Sequence, residues 1–203
     1  MMRVRVAMVV AMVVALLGCS DEPGPRLWFV GDSLVAGWDA KRLFPMRDVV
    51  NVGVPGYKIE DCIAEEFDCG GSDAVVLVGT NDLGPMFGYA DKPLTDEMVD
   101  GFVDEYMELA HGLNAGRLYV VSLLPRNSRW NIVHINDYIQ VLNAALRKRV
   151  EAEIEGAVFV DAYPLMEVDG GLNPDYTKDG LHLNDAGYQV LTRKVKRCIY
   201  GKD

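Results

Sequence analysis

The chain has 203 residues, half of them hydrophobic, and it carries a formal net charge of −10 at pH 7. This length suits a single domain with one hydrophobic core, and the composition is that of a globular protein rather than a disordered or repetitive chain. Because acidic side chains outnumber basic ones, the composition disfavours nucleic acid and anionic membrane surfaces as partners.

The first 18 residues have the features of a secretory signal peptide. Arg3 and Arg5 precede an apolar run of twelve residues, 6–17, which is too short to span a bilayer alone. The run ends in Leu-Leu-Gly-Cys19, which resembles a bacterial lipobox. The resemblance implies cleavage before Cys19 and lipidation of its thiol. A plain secretory signal, with Cys19 as a bystander, is the alternative.

Removal of the signal peptide leaves 185 residues with a net charge of −12. Ser20 rather than aspartate follows the cysteine, which favours an anchor in the outer membrane, facing the periplasm. Residues 19–26 contain two prolines and a glycine, so we interpret them as the lipidated cysteine and a short extended tether. Residues 27–203 are expected to form the domain.

After the tether, short stretches rich in valine and leucine alternate with stretches of helical apolar spacing. The first kind predicts strands buried on both faces, at residues 27–30, 49–52, 74–78, 118–123 and 158–160. The second kind predicts helices from Ser33 to Pro45, over 57–66, from a Thr95 cap, along 135–150 and from Asn184. This alternation is typical of an α/β fold.

Polar motifs follow four of the five predicted strands, the last one at a distance. In chain order they are Gly-Asp-Ser-Leu at 31–34, Asn-Val-Gly-Val-Pro-Gly at 51–56, Gly-Thr-Asn-Asp at 79–82 and Asp-Gly-Leu-His at 179–182. Functional groups of an open α/β sheet gather at the carboxyl ends of its strands, so we expect these motifs to meet there. A turn at that edge exposes the hydroxyl of Ser33 as a nucleophile requires, although Gly-Asp-Ser alone is also ordinary turn chemistry.

With these motifs, the chain from about residue 26 onward resembles the SGNH hydrolases, the GDSL family of lipases and esterases. The resemblance implies a three-layer α/β/α sandwich around a flavodoxin-like, five-stranded parallel sheet in the order 2-1-3-4-5. It also implies a serine esterase that works through an acyl-enzyme intermediate and needs no cofactor.

The resemblance also implies a role for each signature residue. Ser33 is the expected nucleophile, with His182 as its base and Asp179 as the orienter of that base. The backbone N–H groups of Ser33 and Gly53 and the side-chain amide of Asn81 are the expected oxyanion hole.

The chemistry of serine activation supports His182 as the base, independently of the family resemblance. A serine hydroxyl needs a base that accepts its proton, and imidazole does so at neutral pH. Of the three histidines, His111 ends a predicted helix, where its cation suits the helix dipole, and His134 opens another and is expected at the surface. Only His182 has a carboxylate, Asp179, three residues upstream in a glycine-containing loop. The alternative is that Asp179 and Gly180 merely form a turn.

The residues expected to form the oxyanion hole can also be interpreted as purely structural. A buried asparagine such as Asn81 can simply tie down a loop, and Gly53 can be present because the backbone bends there. Asp32, beside the nucleophile, is expected to hold the turn and is also a tentative substrate contact. Thr80 and Asp82 are expected to stabilise the loop around Asn81.

Residues outside the four motifs indicate which substrates the protein could accept. Residues 123–127 are similar to a segment of family members resembling platelet-activating-factor acetylhydrolase and bacterial carbohydrate O-acetylesterases, which favours a short acyl group. Arg126 and Trp130 are candidate contacts to a sugar or polar head group, although Arg126 can equally be a salt-bridge partner.

The stretch 83–94 is predicted as an uncapped loop next to the site. Its Met86 and Phe87 are candidates for an acyl-binding wall or lid, or else they pack on the core.

Three functions therefore stay open at this stage. The first is an esterase for short acyl groups, such as O-acetyl esters of carbohydrate or lipid head groups. The second is a lysophospholipase or thioesterase for longer chains, and the third is a non-catalytic surface-binding lipoprotein. The intact set of signature residues argues against the third. The expected partners are a small ester or acylated glycan and, through the lipid anchor, a membrane.

The cysteines and acidic residues add little chemistry. Cys62 and Cys69 could close a small disulfide in an oxidising compartment, whereas Cys198 is expected to be a buried free thiol on the last helix. No clustered ligand pattern is present in the sequence, so we expect no catalytic metal.

Overall fold

The computed structural model describes residues 25–88, 90, 92–127 and 132–201. The predicted signal peptide and Cys19 lie outside the described residues, as does Trp130. Within the described residues, no helix has both the length and the apolar character that crossing a bilayer requires.

Five strands form the central sheet: β1 (Arg26–Gly31), β2 (Asp48–Asn51), β3 (Asp73–Leu77), β4 (Leu118–Val121) and β5 (Val158–Val160). They lie in the order β2-β1-β3-β4-β5, and each neighbouring pair is parallel. The predicted order is confirmed.

Helices surround this sheet. In chain order they are α1 (Ser33–Ala36), α2 (Ala40–Leu43), α3 (Ile59–Ala64), α4 (Leu83–Phe87), α5 (Asp96–Gly112), α6 (Ile135–Glu153), α7 (Tyr163–Met166) and α8 (Asp185–Tyr200). A short hairpin of β6 (Glu167–Val168) and β7 (Gly171–Leu172) and a 3-10 turn at Pro174–Tyr176 precede α8.

The sheet separates two hydrophobic clusters, because successive side chains of a strand point to opposite faces. In β3, Ala74 and Val76 join the cluster formed with α3, α5 and α6. Val75 and Leu77 join the cluster formed with α1, α2 and α8. The predicted three-layer α/β/α sandwich is therefore confirmed, and the polar carboxyl edge of the sheet stays available for a site.

Two helix starts that matter for the site have the predicted caps. The Thr95 hydroxyl accepts a hydrogen bond from the N–H of Met98 at 3.2 Å and begins α5. The Asn184 side chain accepts from the N–H of Gly187 at 3.0 Å and begins α8. The second cap gives the loop before α8 a fixed end.

The helix predicted from Ser33 to Pro45 is two short helices in the structure. Gly37 ends α1, and the Asp39 side chain begins α2 by accepting the N–H of Arg42. The apolar spacing continues across the break, which is why the sequence pattern did not show it.

The prediction of an uncapped loop over 83–94 is wrong at its start. Residues 83–87 form α4, which ends where Gly88 adopts a left-handed conformation, φ +60°. Leu83 and Phe87 have no exposed surface and pack in the cluster with α5 and α6. The apolar residues of this stretch therefore belong largely to the core.

The disulfide suggested for Cys62 and Cys69 is not formed. Both are buried free thiols in the cluster on the α3 and α5 side of the sheet. Burial raises the pKa of Cys62 to about 12 and that of Cys69 to about 11, which keeps the thiols protonated and unreactive at neutral pH. Cys198 is also free, but it is half-buried rather than buried as predicted.

Candidate active site

Ser33 lies at the carboxyl edge of the sheet, at the start of α1 and two residues after the end of β1. A side chain at Gly31 would place Cβ 2.0 Å from the carbonyl oxygen of Leu77, so only glycine allows the strands to approach this closely. The carboxylate of Asp32 then accepts the N–H of Leu34 at 2.8 Å and caps α1. Ser33 is the first residue of α1, and its own N–H has no hydrogen-bond partner among the described residues.

His182 lies in the loop between the 3-10 turn and α8. The Thr177 hydroxyl donates to the His182 carbonyl at 2.8 Å and accepts the N–H of Gly180 at 2.9 Å, which shapes this loop. One oxygen of Asp179 accepts the backbone N–H groups of Leu181 and His182, at 3.0 and 2.8 Å. The backbone of the loop therefore holds the Asp179 carboxylate in place independently of the His182 imidazole.

The second oxygen of Asp179 lies 2.8 Å from Nδ1 of His182, and Nε2 of His182 lies 3.1 Å from Oγ of Ser33. A carboxylate only accepts, so this arrangement assigns the hydrogen to Nδ1 and leaves Nε2 free to accept from the serine hydroxyl. The hydrogen bond from His182, helped by the two backbone donors, holds the pKa of Asp179 well below its usual range. Asp179 is therefore ionised at neutral pH and can stabilise an imidazolium.

The other two histidines take no part in this arrangement. His111 is in the last turn of α5 and is exposed. His134 precedes α6, and its Nδ1 lies 3.3 Å from Asp137 at the surface. The structure brings only His182 to Ser33.

The candidate oxyanion donors are partly occupied. The N–H of Gly53 donates to Oδ1 of Asn51 at 3.0 Å, so its hydrogen is already used. A Cβ at Gly53 would lie 2.4 Å from the backbone nitrogen of Ala36, so the glycine is required by its close approach to α1. These contacts correct the expected donor role of Gly53, since they give it a structural role instead.

Gly56, at the end of the same motif, has different surroundings. It is exposed, has φ +88°, and its N–H has no hydrogen-bond partner among the described residues. The next carbonyl, that of Tyr57, accepts the side-chain amide of Asn81 at 2.8 Å, so this loop is tied to Asn81. That amide carries two hydrogens, and only one is needed for this bond. Gly56 was not predicted as a site residue, although it is the second glycine of its motif.

Asp32 and Asp82 lie beneath these loops. Each uses one oxygen to accept a backbone N–H, from Leu34 and Ile59 respectively, and each has a second buried oxygen without a partner among the described residues. Burial raises the pKa of Asp32 to about 7 and that of Asp82 to about 6, and the nearby Asp82 charge also contributes to the shift of Asp32. Asp32 has no exposed surface, so it holds the turn and does not contact substrate.

The other candidate substrate contacts differ in their exposure to solvent. Arg126 is 5% exposed and its guanidinium donates to the Thr80 carbonyl at 3.0 Å, so it joins the loop after β4 to the loop that carries Asn81. Phe87 is fully buried and stacks near Tyr138, with ring centroids 4.9 Å apart. Neither is available to a substrate, because their exposed surface is almost nil. Met86 is half-buried and remains at the surface of α4.

The histidine loop has a further support that the sequence did not reveal. The N–H of Asn127 donates to the Gly180 carbonyl at 2.8 Å, and the Asn127 side chain lies against Gly180. This contact joins residues more than 50 positions apart, so no local pattern could have predicted it. Within the described part of the chain, no group of three or more His, Cys, Asp or Glu side chains is placed to hold a metal ion.

Comparison with known proteins identifies the family. The model of the GDSL-like lipase/acylhydrolase family matches residues 29–190, which is most of the chain. The chain belongs to the GDSL-like lipase/acylhydrolase family. Its serine, histidine and carboxylate are in hydrogen-bond contact, which is the arrangement that serine ester hydrolases use.

Solved structures agree with the fold. A protein from Streptococcus pneumonia named for platelet activating factor is 26% identical, with a TM-score of 0.68, and the match covers 90% of this chain and 87% of that one. A GDSL-like lipase from Bacteroides thetaiotaomicron is 22% identical, with a TM-score of 0.68 and coverage of 87% and 88%. The similarity to the Bacteroides structure is evidence for the fold alone.

One similar protein is named for a different activity. N-acylneuraminate cytidylyltransferase of Escherichia coli O18:K1:H7 is 29% identical over an alignment of 180 residues, and the match covers 84% of this chain. The chain spans only 39% of the length of that relative. The name of the longer protein therefore does not describe this chain.

Proposed function

We propose that this protein hydrolyses short-acyl esters, in particular O-acetyl esters of carbohydrate or lipid head groups, through an acyl-enzyme intermediate on Ser33. The observation that carries the proposal is the chain of hydrogen-bond contacts from Ser33 Oγ through the His182 ring to Asp179, at 3.1 and 2.8 Å.

In the first half-reaction, Oγ of Ser33 attacks the ester carbonyl as its proton passes to Nε2 of His182. The resulting imidazolium is stabilised by Asp179. When the tetrahedral intermediate collapses, the bond to the alcohol breaks and the alcohol leaves with the proton from Nε2. Water then attacks the acyl-enzyme with His182 again as base, and the acid is released.

The oxyanion of each intermediate needs preorganised donors. We assign this role to the N–H of Ser33, the free N–H of Gly56 and the second hydrogen of the Asn81 amide. This assignment replaces Gly53 by Gly56, because only the latter has an N–H without a partner among the described residues.

The burial of α4 supports a short acyl group. Phe87 and Leu83, which could have formed an apolar wall, are in the core, and the groove beside Met86 also contains charged side chains, among them Lys58 and Glu105. A long acyl chain would meet those charges, whereas an acetyl group needs little apolar surface.

The test is a series of p-nitrophenyl esters of increasing acyl length, with Ser33→Ala as the control. We expect kcat/KM to be highest for acetate and to decline with chain length. A rise with length indicates the lysophospholipase or thioesterase alternative, and equal rates for wild type and Ser33→Ala would indicate the non-catalytic alternative.

The alcohol part of the substrate can be identified with a second panel of acetylated compounds. The cytidylyltransferase relative is named for N-acylneuraminate, so an O-acetylated N-acylneuraminate belongs in it beside acetylated polysaccharides and acetylated lipid head groups. Acetate release above the Ser33→Ala background identifies the class.

For the N-terminus we propose cleavage before Cys19 and a lipid anchor in the outer membrane. The support is the apolar run 6–17 followed by Leu-Leu-Gly-Cys. Cys19→Ser should abolish incorporation of labelled fatty acid and release the protein from the membrane fraction or block its maturation. Unchanged labelling would contradict the anchor and leave the esterase proposal untouched.

A further inference from the structure

A groove lies at the edge of the sheet opposite the active site. It is lined by Phe44, Pro45, Met46, Arg193, Lys196, Arg197 and Tyr200 and has a volume of about 690 Å³. Residues 44–46 immediately precede β2, so the groove is at the amino ends of the parallel strands, whereas Ser33 and His182 are at the carboxyl ends. We call these seven residues the basal groove.

The basal groove combines apolar and basic side chains. Met46 is 76% exposed and Tyr200 42%, so both present apolar surface to solvent. Nζ of Lys196 lies 5.3 Å from the centre of the Phe44 ring, so its ammonium group lies over this apolar side chain. Among the described lining residues three are basic and none is acidic, in a chain whose net charge is −10.

The chain enters the domain beside this groove. Arg47, the neighbour of Met46, donates from Nε to the carbonyl of Pro25 at 2.8 Å and from a terminal nitrogen to the carbonyl of Arg26 at 3.1 Å. Pro25 is the first described residue, and Cys19 is six positions before it. Six residues span at most about 20 Å when extended. A membrane anchor at Cys19 would thus hold the basal groove close to a bilayer.

We propose that the basal groove is a docking surface for the anionic phospholipid head groups of a bilayer. Arg193 and Lys196 pair with lipid phosphates, and Met46 and Tyr200 enter the interfacial layer. The catalytic edge of the sheet then faces the aqueous side. The net acidity of the chain does not oppose this docking, because attraction falls off within a Debye length and depends on the charges nearest the membrane.

The test measures hydrogen–deuterium exchange on the protein lipidated at Cys19 and incorporated into two kinds of vesicle, one of phosphatidylcholine alone and one containing phosphatidylglycerol. The lipid anchor inserts into both, so only the lipid charge differs. We expect slower exchange in peptides covering residues 44–47 and 193–200 with the anionic vesicles, and no change in peptides around Lys148.

Charge-neutralised variants make the test specific. Arg193→Gln with Lys196→Gln should lose the slowing, whereas the matched control Lys92→Gln with Lys148→Gln should keep it. Both should hydrolyse a soluble ester at the wild-type rate, so the outcome is independent of the proposed esterase function, although it rests on the proposed anchor at Cys19. Equal exchange in the two vesicles, or loss of the slowing in both variants, overturns the proposal. Protection that appears without anionic lipid and grows with protein density also overturns it, since a second copy of the chain would then be the occupant.

Discussion

Replacing Asp179 with asparagine separates its chemistry from its support of the loop. The remaining oxygen of the amide can still accept the N–H groups of Leu181 and His182, which lie 3.0 and 2.8 Å from Oδ1. The amide nitrogen, however, takes the place of the oxygen that faces Nδ1 at 2.8 Å. It is a donor and cannot accept the Nδ1 hydrogen.

The expected effect on the rate is large. The asparagine favours the tautomer with hydrogen on Nε2, which cannot accept the proton of Ser33. A comparable change in a serine protease triad lowers kcat by about 10⁴-fold. The Asp179 side chain is 31% exposed, so water stabilises part of the imidazolium charge. We therefore expect kcat to fall by about 10³-fold, with little change in KM, because the lost interaction acts mainly in the transition state.

The assay is steady-state hydrolysis of p-nitrophenyl acetate, combined with urea unfolding of each variant. Asp179→Asn should unfold near the wild-type midpoint, and Asp179→Ala should unfold earlier because it loses the hydrogen bonds to the N–H of Leu181 and to the N–H and Nδ1 of His182. The low pKa of Asp179 in the folded state stabilises the protein above about pH 4, and this contribution disappears as the pH falls further. A folded Asp179→Asn variant with kcat within about tenfold of wild type would refute the assigned role.

Other substitutions test the surrounding residues. Asn81→Ala should lower kcat by roughly a hundredfold or more through the oxyanion, measured by steady-state kinetics; a lower melting temperature with near-normal kcat would instead assign Asn81 to its bond with Tyr57. Gly53→Ala should lower the melting temperature, because its Cβ meets the backbone of α1 at 2.4 Å; an unchanged melting temperature would contradict that packing. Asp32 has a raised pKa, so the folded state binds its proton more tightly and loses stability as the pH rises from about 4 to 7. Asp32→Asn should therefore gain stability relative to wild type between pH 5 and pH 8 in urea unfolding, and no relative gain would contradict the buried carboxyl.

The sequence predicted the sheet well because its strands are short, continuous apolar runs. Strands such as β3 are buried on both faces, and this burial gives runs like Ala74–Val78 that have no polar interruption. The break between α1 and α2 escaped prediction because Trp38 is as buried as a helical residue would be. The helix α4 escaped it because a proline and a glycine occupy its first turns.

The contacts within the site could be predicted from the sequence only where they join residues that are close in the chain. Asp179 and His182 are three residues apart, so their contact could be inferred from one loop. The contact of His182 with Ser33 joins positions 149 residues apart and followed from topology and resemblance together. The use of the Gly53 N–H by Asn51 depends on a side-chain rotamer, which no motif specifies. This is why the sequence led to Gly53 as the donor, whereas we propose Gly56.

The role of Ser33 can be tested by covalent labelling with a fluorophosphonate, which reacts with serines activated by a neighbouring base. Mass spectrometry of the digested full chain should locate one adduct, on Ser33. Labelling should be absent in Ser33→Ala and strongly slowed in His182→Ala, and His111→Ala should label at the wild-type rate. An adduct on another serine, or full esterase activity in a chain whose Ser33 has been completely labelled, would contradict the central claim that Ser33 is the nucleophile.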